Sequence, residues 1–223
     1  MVFRDTILGF VTGIHVSTSK NLKIGDWIGI PKYNIEGNIQ DINLLTTKIV
    51  NFDKTISTIP TYDLLSTEIR NHQVMYEGSS RRIKRSIYFN IKSFKFVDDE
   101  FYEKVKDINL ISEYLDRKLR EIAESKKNIP HAERIINGQQ LTNIGLFRNY
   151  VLNYLKNNPK VDQDEIVLVR QLEISPQGMP LEIYCFANKA ELVDYERIQA
   201  DIFDHILTAA KEFDLEVMQV AKL

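Results

Sequence analysis

Between residues 20 and 66 the chain reads KNLKIGDWIGIPKYNIEGNIQDINLLTTKIVNFDKTISTIPTYDLLS, and this stretch leaves room for little except a small antiparallel meander. Four short runs of alternating or β-branched residues, 24–30, 38–43, 46–51 and 55–59, lie between clusters that favour turns. Residues 34–37 and 51–54 supply the Gly, Asn and Asp that tolerate positive φ, and Pro60 stops the last run as proline does at a sheet edge. A curled sheet of about 45 residues buries little apolar surface, since even ~60-residue domains are marginal. Such a piece is expected to lean on its neighbours or on copies of itself.

The rest of the chain has a different texture. Residues 81–96 alternate, with Ile83, Ile87, Phe89 and Ile91 on one face and Arg82, Lys84, Ser86, Tyr88 and Asn90 on the other, the pattern of a long half-buried strand that Arg85 interrupts. Residues 98–107 and 112–124 read as helices, and 126–140 as a polar connector. A helix over 141–157, a strand over 165–174, a turn at 175–178, a hairpin partner over 181–187, a long helix over 191–213 and a final strand over 215–221 follow. Without the insertion at 97–140 the order is β-α-β-β-α-β, the split ferredoxin-like plan. The expected fold class is therefore α+β: a small β-barrel, then a ferredoxin-like domain with a helical insertion.

Composition excludes some functions. With 29 basic and 31 acidic residues the formal charge is −2, which argues against a general nucleic-acid binder. The one cysteine, Cys185, forms no internal disulfide and sits where a small buried hydrophobe is expected. No secretory signal is visible. The four histidines are scattered, and no Cys or His pair has zinc-finger spacing. Asp201 and His205 share a helix face, as metal ligands or as a solvated i,i+4 pair. There is no phosphate-binding glycine motif and no catalytic constellation. No cofactor, metal or enzymatic activity is expected. The cations Arg81, Arg82, Lys84 and Arg85 read either as a site for an anion, a lipid head group or nucleic acid or as solvated charges with a few ion pairs.

Residues 7–16 are apolar apart from Gly, Thr12 and His15. Ten helical residues rise only ~15 Å against a hydrocarbon core of ~30 Å, so the run does not span a bilayer. It reads either as half of a membrane helix or as an amphipathic helix on a domain surface.

Several segments carry a family resemblance. Gly25-Asp26-Trp27-Ile28, Glu36-Gly37, Thr46-Thr47-Lys48-Ile49 and Ile59-Pro60 resemble the β-domain of the small-conductance mechanosensitive ion channel family. Asp5-Thr6-Ile7-Leu8 with Gly13-Ile14 is similar to the end of that family's pore-lining helix. The segments 81–86, 137–143 and 180–186 sharpen the resemblance to the miniconductance subgroup. One departure is Thr61 after Pro60, where many members have Asn.

The resemblance implies a division into 1–19, the end of a pore helix whose remainder lies upstream, 20–67, an Sm-like β-domain, and 68–223, the ferredoxin-like domain. It also implies a homo-oligomeric ring, a heptamer, held to the lipid bilayer by upstream helices, in the bacterial inner membrane with this portion facing the cytoplasm. Asp5, Gly9 and Gly13 would couple the pore helix to the ring, and Ile56, Ser57, Thr58, Ile59 and Pro60 would form the strand that meets the next subunit. Arg81, Arg82, Lys84 and Arg85 would line a vestibule crossed by permeating ions released under membrane tension in hypoosmotic stress. The rival from another class is a soluble Sm-like ring that binds RNA; a weaker one is an enzyme on the ferredoxin-like domain. For the C-terminus, the last strand either completes its own domain or joins a barrel below the ring.

Overall fold

The computed structural model describes residues 22–219 together with Ile7, Phe10, Val11 and Ile14. The chain divides into two compact units, Met1–Gly78 and Ser79–Leu223.

The first unit is one antiparallel sheet in the order β4-β3-β2-β1-β5, with β1 Trp27–Ile30, β2 Ile35–Ile42, β3 Thr46–Asn51, β4 Ile56–Pro60 and β5 Arg70–Asn71. This order, strongly connected through β2 and β3, is the Sm-like arrangement. The turn between β1 and β2 comes earlier than expected. Pro31 opens a 3-10 turn, Pro31–Tyr33, and Asn34 closes it with φ 51°. Gly37 therefore lies inside β2, paired with Ile28 on one side and Asn51 on the other. Its role is space: a Cβ there would stand 2.1 Å from the Val50 carbonyl oxygen.

A bulge between Ile39 and Asp41 bends β2. Ile28, Ile30, Ile39, Ile49, Ile59 and Leu64 form the core. Residues 68–78 belong with this unit, because β5 pairs with β1 and His72 N–H donates to the Trp27 carbonyl at 2.8 Å. Two short helices, α1 Asp63–Ser66 and α2 Gln73–Glu77, flank β5.

In the second unit β6 Arg81–Phe89, β7 Leu168–Gln171 and β8 Met179–Ala187 form a sheet in the order β6-β8-β7. The helices are α3 Asp99–Val105, α4 Asn109–Lys126, α5 Asn143–Lys156 and α6 Leu192–Ala209. Their starts follow local chemistry: Asp98 Oδ1 accepts from Phe101 N–H at 2.8 Å, Thr142 Oγ1 from Gly145 N–H at 3.2 Å, and Glu191 Oε2 from Asp194 N–H at 2.9 Å. α6 packs over β6 and β8, α5 over β7, and α4 on α5.

β6 is shorter than the alternation suggests. Asn90 accepts from Lys92 N–H and turns the backbone into a 3-10 segment, so Ile91 is exposed rather than on the buried face. At the C-terminus a single antiparallel bridge, Phe89 to Val217, sets the chain beside β6, and the described residues form no longer strand there. That bridge puts the last segment next to β6 and completes the ferredoxin-like order around β6, β8 and β7. The fold class is α+β, as the alternating and helical periodicities require.

Candidate functional site

The first candidate is an edge. β4 closes one side of the first sheet, and its hydrogen-bonding direction follows from its two ends. Asn51 N–H donates to the Thr55 carbonyl and Thr61 N–H to the Leu45 carbonyl, at 2.9 and 3.0 Å. Antiparallel pairs alternate between bonded and non-bonded, so with the observed register Ser57 and Ile59 turn their amide groups toward β3. Ile56 and Thr58 turn theirs to the open edge, and Pro60, which has no N–H, occupies the next outward position without costing the ladder a bond. Of the five residues expected on the assembly strand, Ile56 and Thr58 thus offer outward backbone pairing, while Ser57 and Ile59 hold the sheet together.

Thr61 is fully buried; its hydroxyl donates to the Asn43 carbonyl at 2.6 Å and lies 3.0 Å from Thr47 Oγ1. It ties the end of β4 to the β2–β3 turn.

Asp5, Gly9 and Gly13, expected to couple a pore helix to the ring, lie outside the described residues. Their neighbours Ile7, Phe10, Val11 and Ile14 are helical and 48–61% exposed. The spacing i, i+3, i+4, i+7 places all four on one apolar stripe.

The third candidate is the set of cations on β6. Strand alternation separates them. Arg82 and Lys84, opposite Phe186 and Tyr184 of β8, face away from α6. Arg81 and Arg85 face the helix instead, each with its guanidinium over a ring of α6, 4.4 Å from Tyr195 and 4.7 Å from Phe203. They do not form one patch. On the open face Glu182, almost wholly buried, is the hub: Arg170 Nε and Nη2 donate to its Oε1 at 2.8 and 2.7 Å, and Lys84 Nζ lies 3.9 Å from Oε2. One carboxylate so links all three strands.

The segment 137–143 proves mainly architectural. Buried Asn143 donates through Nδ2 to the Ser93 and Phe213 carbonyls and accepts from Lys95 N–H, while Gly138 has φ 90°. Asp201 and His205 do not act together: Asp201 pairs with Lys160 at 2.6 Å, and the His205 ring stacks on Tyr154 with its Nε2 2.7 Å from the Tyr150 hydroxyl. Cys185 is fully buried, and burial pushes its thiol up to about 12, far from a working nucleophile. The described residues contain no group of His, Cys, Asp and Glu side chains able to hold a metal, and no helix long and apolar enough to cross a membrane.

Comparison with known proteins accounts for this architecture. A family model described as the mechanosensitive ion channel β-domain matches residues 5–74, and one described as the C-terminal part of the mechanosensitive ion channel MscS matches residues 113–217. The low conductance mechanosensitive channel YnaI of Escherichia coli is 24% identical over 207 residues, which are 93% of this chain and 46% of YnaI. The small-conductance mechanosensitive channel MscMJ of Methanocaldococcus jannaschii is 34% identical over 71 residues, 32% of this chain and 20% of that protein.

In fold, the chain is similar to the cryo-EM structure of Arabidopsis thaliana MSL1, with TM-score 0.65 and 16% identity over 98% of this chain and 61% of that one. It is also similar to the closed-state crystal structure of Helicobacter pylori MscS, with TM-score 0.58 and 15% identity over 100% of this chain and 65% of that one. The chain thus spans about half the length of YnaI and a smaller share of MscMJ. The matched family is one of channels, not of enzymes. With β-domain and C-terminal matches following one another along most of its length, on a fold of the same kind, the chain belongs to the mechanosensitive ion channel family.

Proposed function

We propose that this chain is the cytosolic portion of a mechanosensitive channel subunit that releases ions and small osmolytes when membrane tension rises in hypoosmotic stress. The observation that carries the reading is the pair of family matches, β-domain first and C-terminal part second. Residues 1–19 are the end of a pore helix, 20–78 the β-domain with β5 and its flanking short helices, and 79–223 the ferredoxin-like domain with its insertion at 97–140. The subunit belongs to the miniconductance subgroup. The apolar stripe of Ile7, Phe10, Val11 and Ile14 supports a helix that meets lipid or sister helices on one side. Asp5, Gly9 and Gly13 lie on the same segment and pass movement to the β-domain.

Subunits close into a homo-oligomeric ring, a heptamer, through the β4 edge; a closed ring pairs every such edge. Upstream helices hold the ring in the bacterial inner membrane, with this portion in the cytoplasm. Arg82 and Lys84 on the open sheet face, with Arg81 and Arg85 at its helix side, bias which ions collect before the pore. No feature of the described residues favours the RNA-binding ring.

The test is patch-clamp recording of the complete gene product in cells stripped of their own tension-gated channels. Suction is expected to open a current that the untransformed cells lack, and residues 1–223 alone are expected to give no current in bilayers. A complete protein present in the membrane but silent up to the lytic tension sinks the reading.

A further inference from the structure

The second unit holds a groove of about 550 Å³ that the channel reading leaves unused. One wall is a face of α4, where Tyr114, Lys118 and Ile122 recur four apart. The opposite wall is the start of α5 with Arg148, and Arg170 and Gln171 of β7 close the end. The segment 139–142 supplies Gln139 and Gln140. No Asp or Glu is among the lining residues.

The three cations are not equivalent. Lys118 Nζ is held by Glu121, and Arg170 is committed to buried Glu182. Arg148, by contrast, has no hydrogen bond or ion pair among the described residues, and neither do the side-chain amides of Gln139, Gln140 and Gln171. The groove in the first unit, of about 510 Å³, differs. There Glu36 accepts from Trp27 Nε1, Asp53 from Thr55, and Arg70 pairs with Glu68, so these charged groups already have partners.

The end of α5 adds no donors either. Its first N–H groups go to the Lys95 carbonyl, Asn143 Oδ1 and Thr142 Oγ1. Recognition in this groove therefore falls to side chains: one uncompensated guanidinium, whose planar fork suits a two-oxygen anion, beside neutral amide donors that add hydrogen bonds without further charge.

We propose that this groove binds a small solute bearing an oxyanion, either a carboxylate or a phosphate, with Arg148 as its principal ligand and Gln140 and Gln171 as auxiliary donors. A cation finds no counter-charge here. An extended polyanion finds only one uncompensated positive charge, too little for the multiple phosphate contacts it needs. Because α4, the start of α5 and β7 all line the groove, an occupant ties the helical insertion to the sheet. It stabilises the folded state by an amount that rises with the logarithm of its concentration once that exceeds Kd.

The experiment is titration calorimetry on the intact chain with sodium phosphate and, separately, sodium succinate, each against sodium chloride at equal ionic strength. Saturable binding of at least one anion, absent with chloride, is expected, and the anion that binds identifies the class. Arg148→Ala should weaken it by about tenfold or more, the loss of a charge-assisted contact. Arg148→Lys should keep part of it, and Gln171→Leu should weaken it by a smaller factor. Arg70→Ala, in the other groove, should leave it unchanged. No saturable binding of either anion, or binding unaltered by both Arg148→Ala and Gln171→Leu, overturns the proposal.

Discussion

The two units solve the burial problem differently. Among the described residues the first has six core residues, all aliphatic, gathered under a five-stranded sheet. The second has a continuous cluster of 28 that includes Phe89, Phe101, Phe147, Phe203 and Phe213. Aromatic side chains bury more area each, and a larger unit removes a larger fraction of its surface from water. The second unit therefore has the larger core from which to draw stability. The first is marginal, and the unpaired edge of β4 is a place where contact with another chain can add what its own core lacks.

The largest effects that can break this comparison come from the cores. Phe147→Ala should cost ~3–5 kcal/mol and Ile49→Ala ~2–5 kcal/mol, both being fully buried. Similar losses should have unlike outcomes. Amide exchange is expected to show the first unit of Ile49→Ala unprotected while the second stays protected, and Phe147→Ala folded but less stable throughout its unit. Equal protection of both units in Ile49→Ala would erase the contrast.

Next in size are two prolines on one strand. Ser57→Pro removes a donor that faces β3 and should unfold the first unit. Thr58→Pro removes one that faces outward and should leave the sheet intact while abolishing assembly. Native mass spectrometry with circular dichroism reads both, and a folded Thr58→Pro variant that keeps the parent's oligomer shows that assembly does not run through β4.

The smallest effect is silent at neutral pH. The Cys185 thiol is raised from its ordinary 9.0 to about 12 by burial, so the folded state holds this proton more tightly than the unfolded chain does. Its contribution to stability is complete below about pH 9 and is lost as pH climbs toward 12. The denaturation midpoint should fall between pH 8 and pH 10 by more in the parent than in Cys185→Ala. A parallel fall in the two would remove the thiol from the account. Reaction with thiol reagents at pH 8 should likewise track unfolding.

Long periodic segments were legible in the sequence. The β2–β3–β4 meander, α5, β8 and α6 follow from alternation and helical spacing at residues such as Ile49, Val151, Ile183 and Ile202. What escaped has no local pattern. β5 is two residues long, recognisable only by its pairing with β1. Gly37 looks like a turn glycine in sequence, whereas its reason is the Val50 backbone of the adjacent strand. Ile91 continues the alternation of β6 although Asn90 has already turned the chain. The split of the β6 cations between two faces, by contrast, was legible in the alternation that set Arg85 apart from Arg82 and Lys84. The groove around Arg148 gathers residues from three separated segments, so no spacing announces it.

Pro60 sets one further property of the edge. A strand laid against β4 meets an outward N–H at Ile56 and another at Thr58, then at Pro60 an acceptor with no donor beside it. Sliding such a strand by two residues toward Pro60 exchanges a complete rung for an incomplete one. The proline is thus a register stop, and it fixes the height at which any neighbouring strand can seat.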